Sequence, residues 1–216
     1  MIIHHPWLVQ YPIEKDSKYL IIGTHPPMPY KGTLNYFYGN MNEFWRFLDQ
    51  VYPNSRLYNN NQVKLDDILA WQKQFKISIT DMVFQTHVER FSTDEQMGRI
   101  DLNDLNPFLE NWIKESTIER IYFTSFGGSK SAKNLFKKWL KEKLQIKVKF
   151  EGHVNEINIF GRTIELIDLF SPSPTARRSA PRIEEYKKWK LTQPEGKEDY
   201  DSFRIDWYKK HLPELN

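Results

Sequence analysis

The sequence predicts an α/β protein, a three-layer α/β/α sandwich around a mostly parallel central sheet, in one domain over residues 1–216. Two observations predict it. Short apolar runs such as Tyr19-Leu-Ile-Ile-Gly23 and Ile118–Phe123 read as buried strands. Between them lie stretches with apolar residues at helical spacing, most clearly Ser131–Leu144, where Ala132, Leu135, Phe136, Trp139, Leu140 and Leu144 share one face. Strands alternating with helices form a sheet covered on both faces. No internal repeat or long linker divides the chain.

Taken in order, the first strand stops at Gly23, because Thr24-His-Pro-Pro-Met-Pro29 holds three prolines that restrict themselves and the residues before them. An aromatic loop with Tyr36, Phe37 and Tyr38 follows. A helix starts near Met41–Asn42 with Phe44, Trp45, Phe47, Leu48 and Val51 on its apolar face, and Pro53 and Asn59–Asn61 end it. Asp66–Phe75 reads as a second helix and Ile77–Phe84 as a strand carrying Asp81. Leu102–Ile113 has a helical pattern and Ile118–Phe123 is the next strand. After Ser131–Leu144, strands are expected over Lys147–Phe150, Ile157–Phe160 and Thr163–Phe170, the last two around a Gly161 turn. Pro181–Leu191 and Tyr200–His211 are the final helices. In such a fold ligands bind beyond the carboxyl ends of the strands, which draws the loops at Gly23, Phe84, Phe126 and Phe170 to one rim.

Composition removes several classes of function. The chain has no cysteine, which excludes disulfides, thiolate catalysis, iron–sulfur clusters and cysteine zinc sites, and fits a reducing cytoplasm. No apolar run approaches the ~18 residues of a membrane span. The net charge of +3 averages over uneven parts. Residues 129–150 hold eight lysines against one acid, Glu142, which reads as a solvated helix face. Arg177, Arg178 and Arg182 form a second basic knot after a Ser-Pro-Ser-Pro run. The six histidines show no i, i+4 pair and no ligand motif, so no metal or other cofactor is expected. His4 and His5 are expected at the surface. Phe123–Ser131 lies between a strand and a helix like a P-loop. With Lys130-Ser131 at the motif's end, however, Thr124 and Ser129 stand where glycines are required, which argues against a nucleoside triphosphate.

The informative stretch runs from Gly23-Thr-His-Pro-Pro27 to Asn42-Glu-Phe-Trp45. A strand-ending glycine lets backbone approach a ligand closely. His25 can orient a water near neutral pH, and an asparagine both donates and accepts. A stiff loop with aromatics can stack a planar ring and read its edge, although the same residues also describe a strained turn over core aromatics.

Gly23-Thr-His-Pro, Tyr36-Phe37-Tyr38, Asn42-Glu-Phe-Trp45 and Ser171-Pro-Ser-Pro174 resemble the uracil-DNA glycosylase superfamily, with its mismatch-specific uracil-DNA glycosylase and hypoxanthine-DNA glycosylase branches closest. The likeness covers roughly residues 19–190. It implies a monofunctional, cofactor-free glycosylase, monomeric and cytoplasmic, that hydrolyses the N-glycosidic bond of a flipped uracil- or hypoxanthine-type base in DNA. His25 stands where the mismatch-specific branch has its water-positioning asparagine, and Asn42 matches the asparagine of the Asn-x-Phe-Trp motif; both are implied catalytic residues. Gly23, Thr24, Pro26 and the stacking Phe37 are implied to bind the base. Ser171, Pro172, Ser173, Pro174 and Thr175 match the loop that enters the minor groove, with Arg177 and Arg178 facing phosphates. Two rivals use the same residues: a nucleic-acid-binding module without hydrolysis, and a hydrolase of free nucleosides.

Overall fold

In the computed structural model, which describes residues 2–40, 43–58, 62–196 and 198–214, thirteen helices and strands follow one another, joined by loops and short 3-10 turns. They are β1 (Ile3–His4), β2 (Tyr19–Gly23), α1 (Phe44–Val51), α2 (Leu65–Phe75), β3 (Ile77–Asp81), β4 (Gln85–Thr86), α3 (Leu109–Glu115), β5 (Arg120–Phe123), α4 (Ala132–Lys143), β6 (Val154–Ile159), β7 (Arg162–Asp168), α5 (Glu184–Lys190) and α6 (Tyr200–His211). The central sheet has the order β3-β2-β5-β7-β6. Its first four strands are parallel, and β6 joins β7 antiparallel at the edge. β1 and β4 form a separate antiparallel pair.

Side chains alternate across the parallel strands, and this alternation builds two cores. Leu20, Ile22, Ile121 and Phe123 face one way and pack with Leu109 and Ile113 of α3 and Leu135, Phe136, Trp139 and Leu140 of α4. Ile21, Ile77, Ile79, Tyr122 and Ile167 face the other way, against α1, α2 and α6. The result is the expected three-layer arrangement, a mixed sheet with helices on both sides.

Several boundaries differ from expectation, each for a local reason. Lys147–Phe150 is not a strand. The place beside β7 goes to β6, which closes a hairpin through Phe160 (φ 52°) and Gly161 (φ 76°), and so short a loop costs little to close. Ile146, Val148 and Phe150 instead pack against the α4 side of the core. The strand begun at Ile77 ends at Asp81, where the chain bends so that Met82 and Val83 N–H donate to the carbonyls of Gly23 and Thr24. Leu102–Ile113 is broken by Pro107, which has no N–H to offer, into a 3-10 turn at Leu102–Asp104 and α3. Likewise Pro174–Arg182 winds as a 3-10 turn containing Pro181, and the helix begins only at Glu184.

The lysine face of α4 is also not wholly solvated. Lys133 is buried, and its Nζ donates to Asp168 Oδ2 (2.7 Å) and to the Gly152 carbonyl (3.1 Å). His153 Nδ1 meets the same carboxylate oxygen at 3.0 Å. Removing one partner of a buried pair leaves an uncompensated charge. Lys133→Ala is therefore expected to lower unfolding free energy by about 3–5 kcal/mol in urea titration, and Lys133→Ala combined with Asp168→Ala by less.

Candidate active site

The parallel strands end on one cleft of about 970 Å³. Its floor and walls come from the chain leaving each strand: Gly23, Thr24 and His25 after β2, Asp81 at the end of β3, Thr124 and Ser125 after β5, and Ser171–Thr175 beyond β7. Two further segments form a lip, one running from Pro26 to Lys31 and the other from Arg90 to Gln96. They are joined by paired backbone bonds, Met28 N–H to the Phe91 carbonyl and Phe91 N–H to the Met28 carbonyl, both 2.9 Å. The first and last of these stretches are the two motifs singled out in the sequence, so residues almost 150 positions apart face one space.

Asp81 organises the floor. It is buried, and its Oδ2 lies 2.9 Å from His5 Nε2. The backbone N–H groups of Trp7 and Leu8 both donate to His5 Nδ1, so that nitrogen is the acceptor and Nε2 carries the proton given to Asp81. His5 is thus a buried partner and not the surface residue expected from sequence. The other carboxylate oxygen lies against Gly23: a Cβ there would sit 2.2 Å from Asp81 Oδ1 and 3.0 Å from the Tyr38 hydroxyl, so only glycine fits.

His25 is buried, 8% exposed, in the wall of the cleft. Its Nδ1 lies 2.7 Å from the Pro26 carbonyl, which can only accept, so Nδ1 carries the proton and Nε2 has the lone pair. That Nε2 is shut off from solvent and has no hydrogen-bond partner among the described residues. Burial first, and the neighbouring His5 second, pull its pKa down to about 4, so the ring is neutral at pH 7.

Asp94 enters from the lip. Its Oδ2 accepts from Thr24 Oγ1 (3.0 Å), and Thr24 Oγ1 is 3.0 Å from Ser125 Oγ. Burial lifts its pKa to about 6, against the hydroxyls of Thr24 and Ser125, which hold it down. Nothing in the sequence reading marked Asp94. The signal was Thr93-x-x-Gln96, a capping box that starts the 3-10 turn and aims its first residue inward.

Of the aromatic loop, Phe37 is fully buried among His5, Trp7, Tyr11 and Tyr36 and does not line the cleft. Tyr38 does. It takes a left-handed backbone (φ 63°), uncommon for a bulky residue, and is held there by stacking on Phe44 (4.0 Å) and by its hydroxyl's bond to Thr124 Oγ1 (2.8 Å). Phe91 supplies another ring, 5.4 Å from His25. Gly23, Thr24, Pro26 and Ser171–Thr175 all line the cleft. Asn42 lies outside the described residues.

Arg177 stands apart from the cleft in an ion cluster. Its Nη2 donates to Glu43 Oε1 (2.7 Å) and its Nε to Asp201 Oδ1 (3.0 Å). Arg178 is exposed with no ion pair among the described residues. Lys130, at the P-loop-like turn, donates to the Glu95 carbonyl (2.6 Å). Lys31 and Arg90, on the two halves of the lip, are exposed and also make no ion pair among the described residues. No group of metal-binding side chains occurs among the described residues.

No family model matches the chain, and no curated protein does. Among solved structures it is similar to a solution NMR structure from Methanosarcina acetivorans described as a putative uracil DNA glycosylase, with a TM-score of 0.48 and 16% identity, over 98% of this chain and 96% of that one.

Two outcomes follow from this geometry. Gly23→Ala is expected to displace Asp81 or Tyr38 and lower the urea midpoint, whereas Ala at solvent-facing Gly127, with open space around its Cα, leaves it unchanged. The two shifted groups oppose each other in pH dependence. His25 is protonated more readily unfolded, so it costs stability as pH falls from 6.5 towards about 4. Asp94 is protonated more readily folded, so it adds stability over the fall from about 6 to 3.8. Urea midpoints between pH 7 and 5 should therefore drop more steeply in Asp94→Asn than in the parent protein.

Proposed function

We propose that the protein is a DNA glycosylase of the uracil-DNA glycosylase type, which hydrolyses the N-glycosidic bond of a damaged or mismatched base turned out of DNA. The observation that carries this reading is the meeting of Gly23-Thr-His-Pro and Ser171-Pro-Ser-Pro174 across one cleft at the carboxyl edge of the sheet. A base inside a duplex cannot be reached, so the nucleotide has to be extruded into a pocket. About 970 Å³ accommodates a nucleotide, and Gly23 gives the place of a side chain to the Asp81 carboxylate beneath it.

In the reaction the C1′–N bond breaks with its electron pair going to the base, the sugar passes through an oxocarbenium-like state, and water oxygen bonds to C1′. A cationic sugar needs little nucleophilic force. A carboxylate near it stabilises the charge and takes the water's proton, the role we assign to Asp94, and Asp81 adds negative potential beneath. His25, neutral at pH 7 with its Nε2 shut off from solvent, shapes the wall and does not drive the reaction. Tyr38 and Phe91 take the stacking role that the resemblance assigned to Phe37. Arg177 is bound in its ion cluster, so phosphate contacts fall to Lys31, Arg90 and Arg178.

The occupation of Arg177 and Lys130 by protein groups favours one second reading, a hydrolase of free nucleosides, which needs no phosphate track.

A single-turnover panel of oligonucleotides carrying uracil, hypoxanthine, xanthine, thymine mismatches and alkylated bases, developed with alkali, tests the proposal. Strand breaks at one or more of these are expected, with rates at least about tenfold lower in Asp94→Asn. No abasic product from any of them would sink it, and turnover of nucleosides alone would select the second reading. Lys31→Ala and Arg90→Ala should each weaken DNA binding and reduce the slope of log K against log salt by about one. Arg177→Ala should lower thermal stability and leave that slope unchanged.

A further inference from the structure

We infer that the base this cleft takes presents an amino group or a positive charge on its edge, an amino-bearing or N-alkylated cationic base, rather than the two carbonyl acceptors of a base such as uracil. This rests on the glycosylase reading of the cleft and names its substrate class.

The hydroxyl protons of Thr24, Tyr38, Thr124 and Ser125 on the floor are already spent within the protein. Thr24 Oγ1 gives its proton to Asp94. Thr124 Oγ1 points its proton at the Ile22 carbonyl (3.5 Å), which leaves Tyr38 the donor in their 2.8 Å bond. Ser125 Oγ accepts from Ala132 N–H (2.9 Å) and turns its own proton towards Thr24 and Asp94. His25 gives its proton to Pro26. What stays available is acceptor capacity in the carboxylates of Asp81 and Asp94, and behind the surface lies the buried Nε2 of His25, which no donor among the described residues meets. Among the described residues the floor has no cation to balance them, since Lys31 and Arg90 stand on the exposed lip.

Uracil offers a single N–H, at N3, flanked by two carbonyl oxygens, and on this floor those oxygens would face carboxylates with both sets of lone pairs unpaired. An amino group or ring N–H⁺ satisfies them. The chemistry agrees. Uracil departs as an anion, which two nearby carboxylates oppose. A ring-alkylated base departs neutral, because the electron pair of the broken C–N bond cancels its positive charge and no donor is required.

Isothermal titration of the whole protein at pH 7.5 with 1-methyladenosine, a cation with an amino-type edge, and with uridine and inosine tests this. 1-Methyladenosine is expected to bind at least about tenfold more tightly than uridine or inosine. Asp94→Asn, checked for folding by circular dichroism, should bring the three within about threefold. Uridine or inosine binding as tightly as 1-methyladenosine, an unchanged ranking in folded Asp94→Asn, or no binding of any of them would overturn the inference. The parent protein's ranking decides alone if the variant does not fold. Failure to excise any base with the ranking intact would remove the glycosylase reading and leave the donor preference standing.

Discussion

A carboxylate buried at the end of a parallel strand has to be met by a donor, and the arrangement of this cleft depends on how Asp81 is met. His5 reaches it from the chain's beginning, already oriented because Trp7 and Leu8 N–H groups occupy its other nitrogen. With one oxygen held there, the second lies under Gly23, which dictates a residue without a side chain at the end of β2. The backbone can then pass over the carboxylate, and Thr24 and His25 arrive at fixed heights above the sheet. Thr24 in turn steadies Asp94. One buried charge thus sets the positions of five neighbours drawn from three stretches of chain.

The opposite wall rests on a second polar centre. Arg204 in α6 is fully buried, and its guanidinium donates to the carbonyls of Ser171 and Ser173 and to Asp201, over the rings of Phe47 and Tyr200. Glu43, at the start of α1, and Asp201 bring Arg177 into the same cluster. The Ser-Pro-Ser-Pro loop is therefore held by the fold from behind, and Arg177 serves that attachment. A basic residue beside a suggestive motif reads as a phosphate contact until the acids that claim it, 134 and 24 positions away, are known.

What sequence could and could not reveal follows the range of the interactions. Tyr19–Gly23 and the face of α4 were legible because apolar periodicity is local, and the sheet's carboxyl rim followed from alternation alone. Lys147–Phe150 has equal β propensity but lost its place to a hairpin that closes over two residues. His5 was misread because its partner lies 76 positions on. The choice between Phe37 and Tyr38 was invisible, since no periodicity assigns faces in a loop and the left-handed turn at Tyr38 decides which ring looks into the cleft. Asp94 was the one missed residue with a local mark, its capping box.

The join between Met28 and Phe91 makes the lip a single piece. The proline-bearing strip and the segment leading to Asp94 share a closed ring of two backbone hydrogen bonds, so neither edge can retreat without the other. A guest that displaces one edge therefore has to carry the other with it, so the opening widens or narrows as a whole and not strip by strip.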